Sequence, residues 1–431
     1  MKKIAVMAIA FLLFIPFASI NGNNVFLIKN TNGNILYVGG SGPNNYTSIQ
    51  SAINDASNGY TIYVYPGNYN ESIVINRSIS LIGIEQNGEK PAIDGNKNMT
   101  TVFVEADNCT ISGFIILNGE VGLKIINSSY ILVNNTSIME CSKSGIWLWN
   151  SLHTILRNSK INGIKNVGIS IRNSSYNVIV QNSIFNNKDN GIVMFRESNN
   201  NIISYNNIMG NCDGIDIYDS NNCTIFFNHV YFNQQYGITI DTSNNLSILN
   251  NTIHDHTYGG LLLTDCSDCT ISGNEMYSNQ AGIMIESGTG YITSSNNIVI
   301  HNNIYENGVG IYLEFYVKNN QLMYNNLIDN DKNAYFWFYG EVFYNVWDKN
   351  YWSDWSLPNP KPIRGSLDVS ILIFDLRIPW FMFDKHPALE PYGNFVHKVI
   401  DRGYAGEENL SPSSSHTNQY RKYVPEGIKV R

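Results

Sequence analysis

The chain has 431 residues, of which 14% are charged, and it carries a formal net charge of −8 at pH 7. This acidic balance argues against a nucleic-acid partner, because surfaces that bind nucleic acid need clustered Lys and Arg residues. After the first 20 residues, no stretch is apolar over the roughly 20 residues that a membrane-spanning helix needs.

The N-terminus has the pattern of a targeting signal. Met-Lys-Lys at residues 1–3 is followed by an apolar run over 4–20, which is typical of a secretory signal peptide. Residues 18–20, Ala-Ser-Ile, make a poor cleavage site. An uncleaved N-terminal anchor at 1–20 therefore stays open as the alternative, and it would be the only contact with a membrane. Both alternatives predict a secreted, extracellular or cell-surface protein.

Residues 46–59 predict one helix. Thr47 or Ser48 can serve as its N-cap, apolar side chains share one face, and Asn58-Gly59 ends it. The apolar face consists of Ile49, Ala52, Ile53 and Ala56. Short strand patterns follow, so we expect this helix to cover the open apolar end of the repeat that comes after it.

Two patterns recur at a fixed period from about residue 108 to 338. Gly followed by Ile or Leu steps by 23 residues six times and continues with steps of 22 and 28. The glycines are Gly122, Gly145, Gly168, Gly191, Gly214, Gly237, Gly260, Gly282 and Gly310. A second series, of the type Asn-x-Ile, begins at Asn182, Asn206, Asn228, Asn251, Asn274, Asn302 and Asn325. A fixed period of about 20–50 residues indicates a repeat architecture.

Each repeat contains short apolar bursts with a period of two, separated by Asn, Ser, Asp and Gly. This is strand periodicity with turn residues between the strands, so one repeat is about three short strands and three turns. Stacked copies bury a continuous apolar column, which predicts an all-β, single-stranded parallel β-helix over about 40–340, with about ten coils of about 23 residues. Asparagine makes up about one residue in seven. We expect most of these side chains to form stacked amide ladders between coils.

The composition changes after the last repeat. Residues 335–355 are crowded with aromatic side chains, and three prolines follow soon after. We interpret 341–392 as an aromatic-rich C-terminal cap. Residues 393–431 are polar and predict a flexible tail.

The Gly-Ile-x-Ile and Asn-x-Ile phases resemble the right-handed β-helix repeats of the pectin-lyase-like superfamily, above all the NosD-type and carbohydrate-binding/sugar-hydrolysis (CASH) repeats. Residues 48–69 and 79–83 look like the N-terminal entry of that family. Residues 350–355, Asn-Tyr-Trp-Ser-Asp-Trp, are similar to a segment that follows the helix in secreted archaeal members. The resemblance covers about 40–392 and implies a right-handed helix. It implies no single function, because this fold hosts lyases, hydrolases, epimerases, metal-delivery proteins and adhesins.

Within Gly-Ile-x-Ile-x, the Ile side chains point inward and both x side chains point outward. The two outward columns carry aromatic and charged side chains instead of a uniformly polar exterior. Exposed rings with interleaved charges indicate a binding surface, and flat rings with Arg and Asp suit a glycan. The predicted carbohydrate-binding residues are Trp147, Trp149, Arg172, Phe195, Arg196, Tyr218, Asp241 and Glu286. The alternative is that loops cover this face and the rings belong to the core.

Catalysis on the same face is a second hypothesis. Asp216 and Asp241 lie on neighbouring coils, and ideal strand spacing places their backbones roughly 8 Å apart, within the carboxylate separation of inverting glycosidases. Residues 214–219, Gly-Ile-Asp-Ile-Tyr-Asp, are loosely similar to the catalytic Gly-Ile-Asp-Pro-His-Asp segment of β-helix mannuronan epimerases, with Ile217 and Tyr218 in place of Pro and His. The catalytic candidates are Asp216, Asp219, Asp241 and Arg172.

Metal binding is a third hypothesis. His254-Asp-His256 would place two imidazoles on one face, and the NosD resemblance implies copper, which His, Met and Cys ligands suit. The same coil offers no third ligand, and the six Cys residues have no tetrahedral spacing. We therefore predict no cofactor and no metal, with His254 and His256 as weak candidates. Cys109, Cys223 and Cys269 share one repeat position, which predicts inward packing.

We predict a secreted or cell-surface protein that binds an extracellular polysaccharide along the Gly-Ile face. The first alternative is a polysaccharide lyase, hydrolase or epimerase that acts on the same face. The second is a NosD-like, copper-related protein or a purely structural surface protein.

Overall fold

The computed structural model describes residues 34–97, 99–288, 293–340, 344–371 and 374–393. The chain divides into two units, Met1–Tyr392 and Gly393–Arg431, and the repeats lie in the first. The predicted signal segment at 1–20 and the predicted tail beyond Gly393 lie outside the described residues.

The described part of the first unit is an all-β, right-handed parallel solenoid of thirteen coils. Strands of successive coils pair in parallel along three faces, which we call face 1, face 2 and face 3. The prediction of about ten coils is wrong. Two coils at each end of the solenoid lack the Gly-Ile signature, so the repeat pattern does not reveal them.

Each face is built from the following strands, given in chain order. Face 1 consists of Ile73–Ile75, Val102–Val104, Val121–Ile126, Ser144–Trp149, Val167–Arg172, Ile192–Phe195, Ile215–Tyr218, Tyr236–Asp241, Gly259–Thr264, Ala281–Glu286, Val309–Glu314, Lys332–Tyr339 and Lys361–Ile371. Face 2 consists of Ile35–Val38, Thr61–Val64, Ser80–Gly83, Thr110–Ser112, Leu132–Asn134, Ile155–Arg157, Val178–Val180, Ile202–Ser204, Thr224–Phe226, Ser247–Leu249, Thr270–Ser272, Ile298–Ile300, Gln321–Met323, Val346–Asp348 and Phe374–Asp384. Face 3 consists of Asn68–Tyr69, Ala92–Asp94, Ile115–Leu117, Ser137–Met139, Lys160–Asn162, Ser183–Phe185, Asn207–Met209, His229–Tyr231, Thr252–His254, Glu275–Tyr277, Asn303–Tyr305, Asn326–Ile328 and Tyr351–Trp352.

The interior is a continuous apolar column, in which Ile146 and its equivalents are fully buried. The glycine of each Gly-Ile pair also faces inward. A Cβ atom on Gly145 would lie 2.7 Å from the carbonyl oxygen of Gly168 and 2.7 Å from Cγ2 of Ile161. Only a residue without a side chain fits there, which explains the Gly series. Because the Gly and the following Ile both face inward, the residue before the Gly faces outward again.

Buried asparagine amides connect the coils, as the sequence predicts. In the Asn-x-Ile series, the backbone N and Nδ2 of Asn206 both donate to Oδ1 of Asn228 at 3.0 Å. Nδ2 of Asn206 also donates to the carbonyl of Ile179 in the preceding coil at 2.9 Å. The same arrangement continues to Asn325, which donates to Asn350. Each buried amide is therefore hydrogen-bonded on both sides, as a buried polar group must be.

The helix spans Ile49–Asp55 and is shorter than the predicted 46–59. Ser48 is the N-cap, because its side chain accepts a hydrogen bond from the backbone N of Ser51. Ile49, Ala52 and Ile53 are buried in the same core cluster as the first strands. No helix among the described residues has the length and apolarity of a membrane span.

A β-hairpin closes the other end of the solenoid. Lys361–Ile371 and Phe374–Asp384 pair antiparallel with each other, and the first of them pairs in parallel with Lys332–Tyr339. Coil strands are still present at Val346–Asp348 and Tyr351–Trp352. The region that the sequence assigns to the cap thus contains part of a coil as well as the hairpin.

The Asn-Tyr-Trp-Ser-Asp-Trp segment has a structural role at this end. Asn350 is the last member of the amide ladder, and its backbone N and Nδ2 donate to Oδ2 of Asp384 at 2.9 and 3.0 Å. The indole Nε1 of Trp352 donates to the same oxygen at 3.0 Å. A carboxylate only accepts hydrogen bonds. Asp384 therefore ends the ladder by accepting from the donors of Asn350 and Trp352 that no further coil would satisfy.

Candidate functional site

Face 1 contains the two outward columns that the sequence predicts. Pairing in register aligns Lys124, Trp147, Ser170, Val193, Asp216 and Thr239 in the first column. The second column contains Ile126, Trp149, Arg172 and Phe195 and continues with Tyr218, Asp241, Thr264, Glu286 and Glu314. Trp147, Trp149 and Phe195 are half-buried, and Tyr218 is 48% exposed. These rings therefore lie at the surface and do not belong to the core column.

Cations and rings alternate at the N-terminal end of face 1. Nζ of Lys124 lies 4.7 Å from the ring centroid of Trp147. The guanidinium carbon of Arg172 lies 5.3 Å from the ring of Trp149 and 5.8 Å from that of Phe195. Cation–π contacts of this kind hold a charged group in place without neutralising it. We call these five residues the cation–aromatic patch.

Neither cation of this patch forms an ion pair with a carboxylate among the described residues. The ion pairs in that part of the chain involve other Lys and Arg residues. The two indole rings of the patch are nearly parallel, with centroids 6.2 Å apart. Each indole has a cation over its ring, so fewer ring faces are free to stack on a sugar than the sequence suggests. Lys124 and Arg172 are half-buried, as the three rings of the patch are.

Arg196 and Asp219 do not lie on the strand face. The strands end at Phe195 and Tyr218, and Arg196 and Asp219 follow with positive φ angles of 56° and 47°. They occupy the turn at the edge of face 1. Period-two alternation predicts the strand positions correctly, but it does not show where a strand ends.

Carboxyl groups replace the cations further along face 1. Asp216 accepts hydrogen bonds from Thr239 Oγ1 at 2.9 Å and from Asn190 Nδ2 at 3.1 Å. Burial raises its pKa, and the nearby Asp241 carboxylate contributes in the same direction. Asp216 pairs with Thr239 while Asp241 pairs with Tyr218, which is the offset of one coil and two residues that the sequence predicts.

Asp213 is not among the residues that the sequence pattern predicts for the site. It precedes Gly214, where the inward-facing glycine interrupts the alternation, and it accepts a hydrogen bond from the backbone N of Tyr236 at 2.8 Å. Burial raises the pKa of Asp213 to about 7, and the charges of Asp216 and Asp189 add to the effect. The signal that could have found it is the inward Gly of the repeat, which turns the residue before it outward.

Two glutamates extend the acidic part of the face. Glu286 pairs in register with Glu314 on the next coil and accepts a hydrogen bond from Thr264 Oγ1 at 3.0 Å. Glu314 is only 4% exposed, and its Oε1 has no hydrogen-bond partner among the described residues. Burial, followed by the charge of Glu286, raises the pKa of Glu314 to about 8. We call Asp213, Asp216, Asp241, Glu286 and Glu314 the acidic strip.

The two weak metal candidates do not share a face, contrary to the prediction. His256 is 3% exposed and takes the place of a ladder asparagine, accepting at Nδ1 from the backbone N of Asn233 at 3.2 Å. Burial lowers its pKa to about 4. His254 lies at the end of a face 3 strand, with its Nε2 2.8 Å from Nε2 of His229 and its Nδ1 2.7 Å from Asp255. The turn at Asp255, with φ of 58°, separates the two imidazoles.

Among the described residues, no three His, Cys, Asp or Glu side chains are grouped so that they could hold one metal ion. All six cysteines are free, and Cys109, Cys223 and Cys269 are buried as their shared repeat position predicts.

Two clefts lie away from the cation–aromatic patch and the acidic strip. One, of about 750 Å³, lies between the last coil and the base of the hairpin and is lined by Lys332, Trp352 and Lys361 among others. The other, of about 540 Å³, lies beside the N-terminal helix. Neither contains a residue of the cation–aromatic patch or the acidic strip.

Two family models match the chain. The one described as "Periplasmic copper-binding protein (NosD)" matches residues 193–357, and the one described as "Right handed beta helix region" matches 92–238. A cell surface glycoprotein of Methanothermus fervidus is 35% identical over 102 residues, which are 23% of this chain and 17% of that protein. The chain thus spans about a sixth of this relative.

Solved structures show the same architecture. The A-module of the mannuronan C-5 epimerase AlgE6 of Azotobacter vinelandii superimposes with a TM-score of 0.62 at 18% identity, covering 66% of this chain and 90% of that one. The Dettilon tailspike protein (gp208) superimposes with a TM-score of 0.60 at 16% identity, covering 70% and 68%. Identities this low show the fold alone. The chain is a right-handed parallel β-helix protein, and its relatives point to an extracellular or surface location.

Proposed function

We propose that this surface β-helix protein binds an acidic polysaccharide through the cation–aromatic patch of face 1. Its relatives include a cell surface glycoprotein and β-helix proteins named for carbohydrate chemistry, which supports a carbohydrate-related role in general. The observation that carries the finer proposal is the pair of cations, Lys124 and Arg172, which are held over rings and have no carboxylate partner in the part of the chain that the structure describes.

The physical reason lies in the charge distribution. The chain has a net charge of −8, and yet two cations on one outward strand face have no ion-pair partner among the described residues. Guanidinium groups bind carboxylate and sulfate groups with two parallel hydrogen bonds, and rings beside them provide apolar contact for sugar C–H groups. The acidic strip begins two coils beyond Arg172, and its five residues offer no cation to an anionic chain. The footprint therefore covers about four coils, or roughly 15 Å at the usual strand spacing.

Arg172→Gln should weaken retention of a polyuronate or sulfated polysaccharide by about 1–3 kcal/mol, because a charge-assisted contact at a central ring-flanked position is lost. Binding is measured by affinity electrophoresis on a panel of acidic and neutral polysaccharides at two salt concentrations. The unaltered protein should prefer the acidic members and lose affinity as salt rises.

Lys160→Gln is the matched control. Lys160 also lies over a ring, that of Phe185, at 5.1 Å, but on face 3. An equal loss in both variants, or equal retention of a neutral glucan by the unaltered protein, would contradict the proposal. Trp149→Ala is a poorer probe, because the half-buried indole also contributes to stability.

The acidic strip supports a second candidate function, the chemical modification of a glycan. A carboxyl group with a pKa of about 7, that of Asp213, lies three residues before Asp216, whose pKa is also raised. General acid–base catalysis works best with groups that titrate near the working pH, and perturbed carboxyl groups gather at active sites.

Asp216→Asn should abolish formation of new chain ends or altered sugars, while retention of the polysaccharide persists. If Asp213 acts as a general acid, the activity should fall as the pH rises above about 7, because the proton is then lost. Both effects are measured on the polysaccharides that the unaltered protein retains, by chromatography of the products. The absence of any product from the unaltered protein would reject this candidate and leave the binding proposal untouched.

A further inference from the structure

One turn row of the solenoid contains an unusual set of residues. Between faces 1 and 2, the residue two positions before the face 2 strand adopts a positive φ of 53–61° in ten successive coils. Seven of the ten are Asn or Asp, namely Asn108, Asn200, Asn222, Asn245, Asp268, Asn296 and Asn319. The other three are Tyr130, His153 and Tyr176, and they are consecutive. We call these three the turn ladder.

The turn ladder is costly for the fold. Asn and Asp tolerate the left-handed backbone region, whereas a bulky residue there is strained. Tyr130 and Tyr176 are nevertheless 57% and 53% exposed, so little burial offsets this strain. The rings stack on one another instead, with the His153 centroid 4.9 Å from that of Tyr130 and 5.5 Å from that of Tyr176. Exposed aromatic clusters on a strained backbone are typical of binding surfaces.

The turn ladder lies on the same three coils as the cations of face 1. Tyr130 follows Lys124 by six residues and Tyr176 follows Arg172 by four, while His153 follows Trp149 by four. An exposed row of amides separates the two groups, in which Asn150 donates to Asn127 at 3.0 Å and Asn173 donates to Asn150 at 2.6 Å. Elsewhere in the described part of this turn row, the residues are Asn or Asp.

We propose that the turn ladder is a second wall of the glycan site, so that the bound polysaccharide extends from face 1 around this corner. The proposal rests on the proposed function and extends its footprint. Within the stack, the facing sides of the three rings cover one another. The turn ladder therefore presents ring edges and the two phenol hydroxyls to the ligand. Phenol hydroxyls both donate and accept hydrogen bonds, which suits sugar hydroxyl groups, and the amide row between offers further donors and acceptors.

The double substitution Tyr130→Asn/Tyr176→Asn tests this inference, because it installs the residue that most other coils have in this row. Stability should stay the same or rise, since Asn relieves the backbone strain, and the thermal midpoint reports it. The dissociation constant for the acidic polysaccharide that the unaltered protein retains should increase about tenfold. Loss of affinity together with unchanged or higher stability separates a binding role from a structural one.

Tyr205→Asn is the matched control, because Tyr205 is also an exposed tyrosine with positive φ, 55°, but in the turn between faces 2 and 3. The Tyr205→Asn variant should bind the acidic polysaccharide with the same affinity as the unaltered protein. A change smaller than threefold in the double variant, or an equal loss in the control, overturns the inference. If Arg172→Gln weakens binding while the double variant does not, the proposed function stands and only the second wall fails. If the unaltered protein retains no acidic polysaccharide, both fail together.

Discussion

Asp384→Asn should destabilise the C-terminal end of the solenoid by about 3 kcal/mol. The carboxylate is fully buried and accepts hydrogen bonds at Oδ2 from Asn350 and Trp352. Its other oxygen accepts from the backbone N of Lys349 at 3.0 Å and of His386 at 3.2 Å. An asparagine would place an NH₂ group against donors, leaving buried donors unsatisfied, which costs about 1–3 kcal/mol each.

The effect should be local, because a solenoid coil contacts mainly its two neighbours. Native-state hydrogen exchange is therefore the appropriate measurement, since it reports opening of individual coils. Amides of Asn326–Ile328 and Tyr351–Trp352 should exchange faster in the variant, while those of Lys160–Asn162 should not change.

Asp354→Asn is the control for this substitution. Asp354 belongs to the same segment, but its side chain is 54% exposed, and it pairs with Lys361 at 2.7 Å. It also accepts a hydrogen bond from Asn333 Nδ2 at 2.9 Å, which the amide oxygen of an asparagine can still accept. A surface ion pair contributes at most about 1 kcal/mol, so we expect little change in exchange. If the amides of the last two coils exchange as slowly in Asp384→Asn as in the unaltered protein, the carboxylate does not hold the end of the ladder.

The repeat makes most of the fold readable from the sequence. Gly145 recurs because its Cβ position is filled by the next coil, and Asn206 recurs because its amide bonds the coils above and below. Both constraints act at every coil, so they produce a period. The end coils escape detection because their contacts with the helix and the hairpin occur once only.

The site is less readable, because it depends on departures from the repeat. Arg172 and Asp216 are found by alternation alone, since they occupy regular strand positions. Alternation does not find Asp213, because it precedes the inward-facing Gly214, and it does not find Tyr130, because that residue occupies a turn. Burial of individual carboxyl groups, such as that of Glu314, depends on neighbouring side chains that no period specifies.

The acidic strip should make the protein more stable at about pH 5 than at about pH 9. Burial raises the pKa of Glu314 from 4.5 to about 8 and that of Asp213 from 3.8 to about 7. Over these windows the unfolded chain releases protons that the folded chain keeps. The free energy of unfolding therefore falls as the pH rises from the unfolded pKa values through the folded ones.

Glu314→Gln should remove about half of the dependence that Glu314 and Asp213 contribute, and it should stabilise the protein at pH 9. The amide preserves the shape of the side chain and carries no charge to bury. One pKa unit corresponds to about 1.4 kcal/mol, so the gain at pH 9 is on the order of a few kcal/mol. Urea unfolding between pH 4 and 9 measures it, and near pH 4 the variant and the unaltered protein should be nearly equal, because Glu314 is then protonated in both states.

Asp213→Asn provides an independent comparison on the same strip. Asp213 and Glu314 are four coils apart, or roughly 19 Å at the usual strand spacing. Substitutions at such separations normally add, so the double variant should show the sum of the two gains. The Asp213→Asn gain should be complete near pH 7, whereas the Glu314→Gln gain should continue to grow up to about pH 8. A stability that is constant from pH 5 to 9 in the unaltered protein would show that these carboxyl groups ionise freely, and that the acidic strip is open to solvent.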